Sequence, residues 1–86
     1  MNYEKGDIVI SIAGRYCGQI FLVWTLQGDD VLLVNGKLRK INSPKKKNVK
    51  HIMFKNKSPN FKQMFDKGQV FNAALVRKIL KFEENL

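Results

Sequence analysis

Val31-Leu32-Leu33-Val34-Asn35-Gly36-Lys37-Leu38-Arg39-Lys40-Ile41 carries the strongest local folding signal in the chain. An apolar run with Val at both ends reads as a strand, and both central positions of a type I′ turn need positive φ, which Asn-Gly tolerates best. The segment therefore predicts a two-residue hairpin joining Val31 to Val34 with Lys37 to Ile41.

Upstream, Asp7 to Ile12 is rich in Ile and Val, Ala13-Gly14-Arg15-Tyr16-Cys17-Gly18 is a Gly-bounded loop, and Ile20 to Leu26 is a second apolar run. Gln27-Gly28-Asp29-Asp30 has the composition of a turn. Downstream, Asn42-Ser43-Pro44 breaks the pattern, Lys45-Lys46-Lys47 reads as a basic loop, and Val49 to Phe54 reads as a closing strand. Five short strands with tight turns suit a small barrel, in which a twisted meander closes on itself and removes its edges.

Ile20-Phe21-Leu22-Val23-Trp24 and Val31 to Val34 are apolar at both parities, so both faces of these strands need cover. One face supplies the barrel core. Trp24, mid-strand among aliphatics, is expected to be buried rather than to stack on a base. The C-terminal third can cover the other face. Ser58-Pro59 followed by Gly68 has the cap residues of a short helix, with Phe61, Met64 and Phe65 on one side. Asn72 can cap a longer helix whose apolar stripe is Leu75, Ile79 and Phe82, widened by Val76 and Leu80. The expected fold is mainly β: a five-stranded barrel over residues 1–54 with a helical extension over 55–86 packed outside it.

The chain has 86 residues, which suits one domain with a thin core. Its hydrophobic content of 44% is too high for a disordered tail. Lys and Arg total 16 against 7 acids, a net charge of +9. No Asp or Glu occurs between Val31 and Phe65, while ten Lys and Arg residues do. A field of that sign attracts polyanions, and compositional bias toward Lys does not account for the missing acids. A single Cys excludes an internal disulfide and fits a reducing compartment. No apolar run approaches the ~20 residues of a membrane span. Met1 to Asp7 is polar rather than signal-like, so a soluble, cytoplasmic protein without membrane association is expected.

Catalysis finds little support. The acids pair only as the sequence neighbours Asp29-Asp30 and Glu83-Glu84, and the single His and Cys fall short of the zinc ligand count. No enzymatic activity, metal or cofactor is expected. Cys17 reads as a small residue in a tight loop, since no His is close in sequence to act as its base. The glycines of Gly14-Arg15-…-Gly18 let the backbone turn sharply and approach a phosphate, onto which Arg15 can fork. Lys45-Lys46-Lys47 places three ammonium groups side by side, a repulsive arrangement that an anion relieves, although such runs also serve as solvated loops. Lys37, Arg39 and Lys40 on the hairpin arm are expected to extend this patch.

Gly6-Asp7-Ile8-Val9-Ile10-Ser11-Ile12-Ala13-Gly14-Arg15, with Gly18 and the apolar run to Val23, resembles the KOW motif of SH3-like barrels in ribosomal proteins and transcription elongation factors. Val34 to Ile41 and Pro44 to Ile52 resemble the stretches that follow in the large-subunit ribosomal protein group called fourteen-e, six-e and twenty-seven-e. The likeness covers about residues 3–53, and more loosely Gly68 to Asn72. It implies a ribosomal or ribosome-associated protein that binds structured RNA, ribosomal RNA in particular, with ribosomal proteins as further partners. It places Arg15, Arg39, Lys45, Lys46, Lys47, Lys50 and His51 at matching positions. Tyr16-Cys17 departs from the charged pair more usual there, although Tyr16 can stack on an exposed base.

The expected binding surface is thus Gly14, Arg15, Gly18, Lys37, Arg39, Lys40, Lys45, Lys46, Lys47, Lys50 and His51, acting on phosphates with steep salt dependence. A protein-interaction module and a non-specific DNA binder are the rival readings.

Overall fold

In the computed structural model, residues 2–84 are described. Residues 1, 85 and 86, at the ends of the expected barrel and helical extension, lie outside them. Five strands, β1 (Asp7–Ser11), β2 (Ile20–Gln27), β3 (Asp30–Val34), β4 (Lys45–Asn48) and β5 (Ile52–Lys57), precede two helices, α1 (Pro59–Asp66) and α2 (Ala73–Glu84). A 3-10 turn, Val49–His51, separates β4 from β5. All pairings are antiparallel, in the order β4-β3-β2-β1-β5.

The expected closure of the sheet is not found: β4 and β5 are its two edges and do not pair with each other. Between them the backbone leaves the ladder at the 3-10 turn. That turn spans the gap, because Val49 N donates to Asp29 O at 3.1 Å and His51 O accepts from Ile12 N at 2.9 Å. Two register shifts bend the sheet, one beside Trp24 on β2 and one beside Lys55 on β5.

The fourth strand also differs from expectation. Lys37 to Ile41 is not a strand, and β3 pairs instead with the lysine run, Val31 opposite Lys47 and Leu33 opposite Lys45. Asn35-Gly36 is no type I′ turn, since Gly36 has φ +74° but Asn35 is not in the positive region. Asn35 Oδ1 accepts from Lys37 N (2.9 Å) and Arg39 N (3.0 Å), and Arg39 O accepts from both Asn35 N and Gly36 N. The result is a tight loop folded around the Asn side chain. The cause lies elsewhere in the chain: α2 packs so closely here that a Cβ on Gly36 would collide with the Ala73 carbonyl and Arg77.

Both faces of the sheet are buried, as the double parity requires. Val9, Phe21, Val23, Val31, Leu33, Ile52 and Tyr16 pack together inside the curve of the sheet. Ile8, Leu22 and Val34, in register across three strands, pack under Phe61 of α1 and Val76, Ile79 and Leu80 of α2. Trp24 joins this second layer, half-buried and edge-on to Phe61 and Phe71. It therefore packs into the core beneath the helices.

The helix ends follow their cap residues. Ser58 Oγ accepts from Phe61 N and Asn72 Oδ1 from Leu75 N. The stripe on α2 runs through Val76, Ile79, Leu80 and Glu83, with Leu75 half-buried. Phe82, expected inside, is 52% exposed, because a residue six positions after Val76 has rotated off the packed face. Glu83 occupies that place and accepts a hydrogen bond from Asn56 Nδ2 of β5.

Lys57 is withdrawn from the free basic surface. Its ammonium donates to Glu4 (3.2 Å) and Asp7 (3.3 Å), and hydrogen bonding to these carboxylates, Glu4 first, raises its pKa above the usual lysine value.

Gly36→Ala should lose about 2–4 kcal/mol in urea denaturation, combining the left-handed backbone cost with overpacking against α2. Gly28→Ala, at φ +63° with open space around it, should lose only ~1–2 kcal/mol. Equal losses would contradict the close helix approach.

Candidate functional site

Three segments distant in sequence line one groove of about 460 Å³: the Gly14 loop, Arg39, and β4 with the following turn. Arg15, Arg39, Lys45, Lys46, Lys47 and His51 are among its lining residues, and no Asp or Glu is.

The lysine run is a strand, so its side chains alternate. Lys45 and Lys47 share the face of Leu33 and Val31, while Lys46 points to the other face beside Asp30, whose carboxylate lies 3.7 Å from its ammonium. Lys47 is structural as well as charged. Its Nζ donates to Ser11 Oγ and Ala13 O, both at 2.6 Å, and so fastens β4 to the start of the Gly14 loop. Two of its three donors are consumed, and one is left for the groove. The Lys45 ammonium has no hydrogen bond or ion pair among the described side chains, unlike those of Lys46 and Lys47.

Arg39 is held from behind. Its Nε donates to Tyr16 Oη at 3.3 Å, its guanidinium carbon lies 5.6 Å from the centre of the Tyr16 ring, and that ring meets Phe21 edge-on at 5.7 Å. Tyr16 is 8% exposed, so it is part of the core and not a platform for a stacking base as the sequence allowed. Its aromatic body orients the neighbouring Arg39 guanidinium, and Arg15 stays exposed beside it. Cys17 is exposed, with its N–H on Gly14 O at 3.2 Å, in keeping with a small residue in a tight loop.

A Cβ on Gly14 would meet only Lys47 Nζ, at 3.8 Å, so space above this backbone is open to a ligand atom. Asn48 closes the other end by accepting from Lys50 N at 3.0 Å, which sets the turn that carries His51.

Not every expected residue joins this groove. Lys40 and Lys50 are exposed but line neither of the two principal cavities. Lys37 and Gly18 line a separate, larger one beside α2, because the loop over residues 35–39 turns Lys37 and Arg39 to opposite sides. That second cavity is also lined by Arg77, Lys78 and Lys81, which were not among the expected binding residues. Their clustering opposite the Val76–Ile79–Leu80 stripe was the signal that could have found them.

No protein-family model matches the chain, and no curated protein matches it. No helix among the described residues is long and apolar enough to cross a membrane.

Lys47→Ala should lower stability by about 1–3 kcal/mol, the cost of leaving partly buried acceptors unpaired. Lys45→Ala should change it by less than ~0.5 kcal/mol. Thermal melts of the two variants compare them directly, and coincident melting curves would contradict the fastening role of Lys47.

Proposed function

We propose that this protein binds structured RNA through the groove lined by Arg15, Arg39, Lys45, Lys46 and Lys47, as a ribosomal or ribosome-associated protein of the KOW kind. The observation that carries this reading is the convergence of cations from three separate segments on one groove without a carboxylate among its lining residues. Cations held close together by an edge strand and two tied loops form a receptor for a polyanion backbone, and binding releases the counterions condensed on it. Arg39 arrives pre-oriented by Tyr16, and Lys47 by Ser11 and Ala13, so less side-chain freedom is lost when phosphates bind.

An SH3-like barrel is the finer fold we propose for the sheet. Supporting it are the antiparallel meander of β1 to β4 with β5 returning to β1, the 3-10 turn between the two edge strands, and a core enclosed by the curve. In this reading the Gly14 loop and the basic strand, which the KOW resemblance joins in sequence, face one ligand. Lysines carry little base information, so RNA shape does the selecting.

The test is fluorescence anisotropy with a structured ribosomal RNA fragment and a DNA duplex of equal length, each titrated across a range of salt. The RNA should bind more tightly at every salt concentration. Arg15→Ala with Lys45→Ala should lower the slope of log affinity against log salt by about 2, one for each phosphate contact removed. Equal affinity for the DNA duplex would reduce the protein to a non-specific polyanion binder.

A further inference from the structure

The cavity beside α2, about 840 Å³, is the larger of the two principal ones. Lys37, Arg77, Lys78 and Lys81 line it together with Gly18 and Asn35, and none of its lining residues is acidic. Lys37 and Lys78 have no carboxylate within 4.0 Å among the residues whose side chains are described. Arg77 is aimed from its helix by donating Nη1 to Gly36 O at 2.5 Å. Lys81 follows Arg77 by four positions and Lys78 by three, like-charge spacings that weaken an isolated helix. The fold therefore holds a second set of cations together on its own.

The two basic grooves share a wall. The loop from Gly14 to Gly18 lends Gly14 and Arg15 to one groove and Gly18 to the other. The loop over residues 35–39 lends Arg39 to one, and Asn35 and Lys37 to the other. Arg39 Nε on Tyr16 Oη ties these loops into a single ridge, with Leu38 exposed upon it. A ridge with an anion-binding groove on each side has the form required by two phosphate backbones with a shallow channel between them. The minor groove of A-form RNA is such a channel, wide and lined by 2′-hydroxyls that loop backbone groups can meet.

We propose that the ridge seats in the minor groove of an RNA duplex, with the phosphates of one strand in the Arg15–Arg39–Lys45 groove and those of the other in the Lys37–Lys78–Lys81 groove. This rests on the RNA-binding reading above and specifies its ligand as double-stranded. The α2 helix is then a binding element as well as a cover for the sheet.

The experiment measures anisotropy of an RNA duplex of about 20 base pairs, longer than the ~16 that shape-reading domains span, and of one of its strands alone. Wild type is compared with Lys37→Ala/Lys78→Ala/Lys81→Ala, all exposed positions, and with Arg15→Ala/Lys45→Ala; thermal melts verify that each variant is folded. The triple variant should lower the duplex salt slope by about 3 and weaken duplex binding by roughly tenfold or more, with a much smaller effect on the single strand. An unchanged duplex slope in the triple variant, with a reduced one in the double variant, would overturn the two-strand proposal and leave RNA binding by the first groove standing. Equal weakening of duplex and single strand in the triple variant would also overturn it, because a general loss of positive field would then explain the result. If neither variant alters binding, the RNA-binding reading itself fails.

Discussion

A single sheet with apolar side chains on both faces cannot rest in water on either side, and every other feature of this fold answers that constraint. Ile8, Leu22 and Val34 face one way, Val9, Phe21, Val23 and Leu33 the other. Curvature buries the second set against itself, helped by Tyr16 and Ile52, while α1 and α2 lie over the first. Fully burying a side chain of this kind is worth about 1.5–3 kcal/mol, so neither cover is dispensable in a chain of this size.

Covering both faces leaves the polar residues the rim of the sheet, the loops and the outer sides of the helices. The cations accordingly collect where loops and edge meet, and the two loops at that rim become a partition with positive charge on each side. The joint between Tyr16 and Arg39 links the two requirements. One end of the tyrosine completes the core inside the curve, and the other orients a guanidinium at the surface. Core packing thereby sets the position of a charge.

Much of this was legible in the sequence, and the misreadings share one origin. The strands β1, β2 and β3 and both helices follow from runs of Ile, Val and Leu and from the caps Ser58-Pro59 and Asn72, all local signals. The apolar double parity also announced two covers. Asn35-Gly36 misled because its glycine answers to a helix that arrives 37 and more residues later at Ala73, a contact with no local trace. Lys45-Lys46-Lys47 looked like a loop because three charges are unfavourable in a buried strand, whereas an edge strand with one solvated side accepts them. The patch was likewise half legible. Local sequence showed which residues were basic, but the turn that sends Lys37 and Arg39 to opposite sides, and the helix face that joins Lys37, exist only in three dimensions.

The lysine-rich edge has a further effect on the molecule when nothing is bound. β4 presents unpaired backbone groups along its outer side, the usual template for chain-to-chain strand pairing and insoluble growth. A second copy approaching that border would bring ammonium against ammonium before any backbone bond could form. The same row of ammonium groups that the proposed polyanion binding would use thus keeps identical molecules apart.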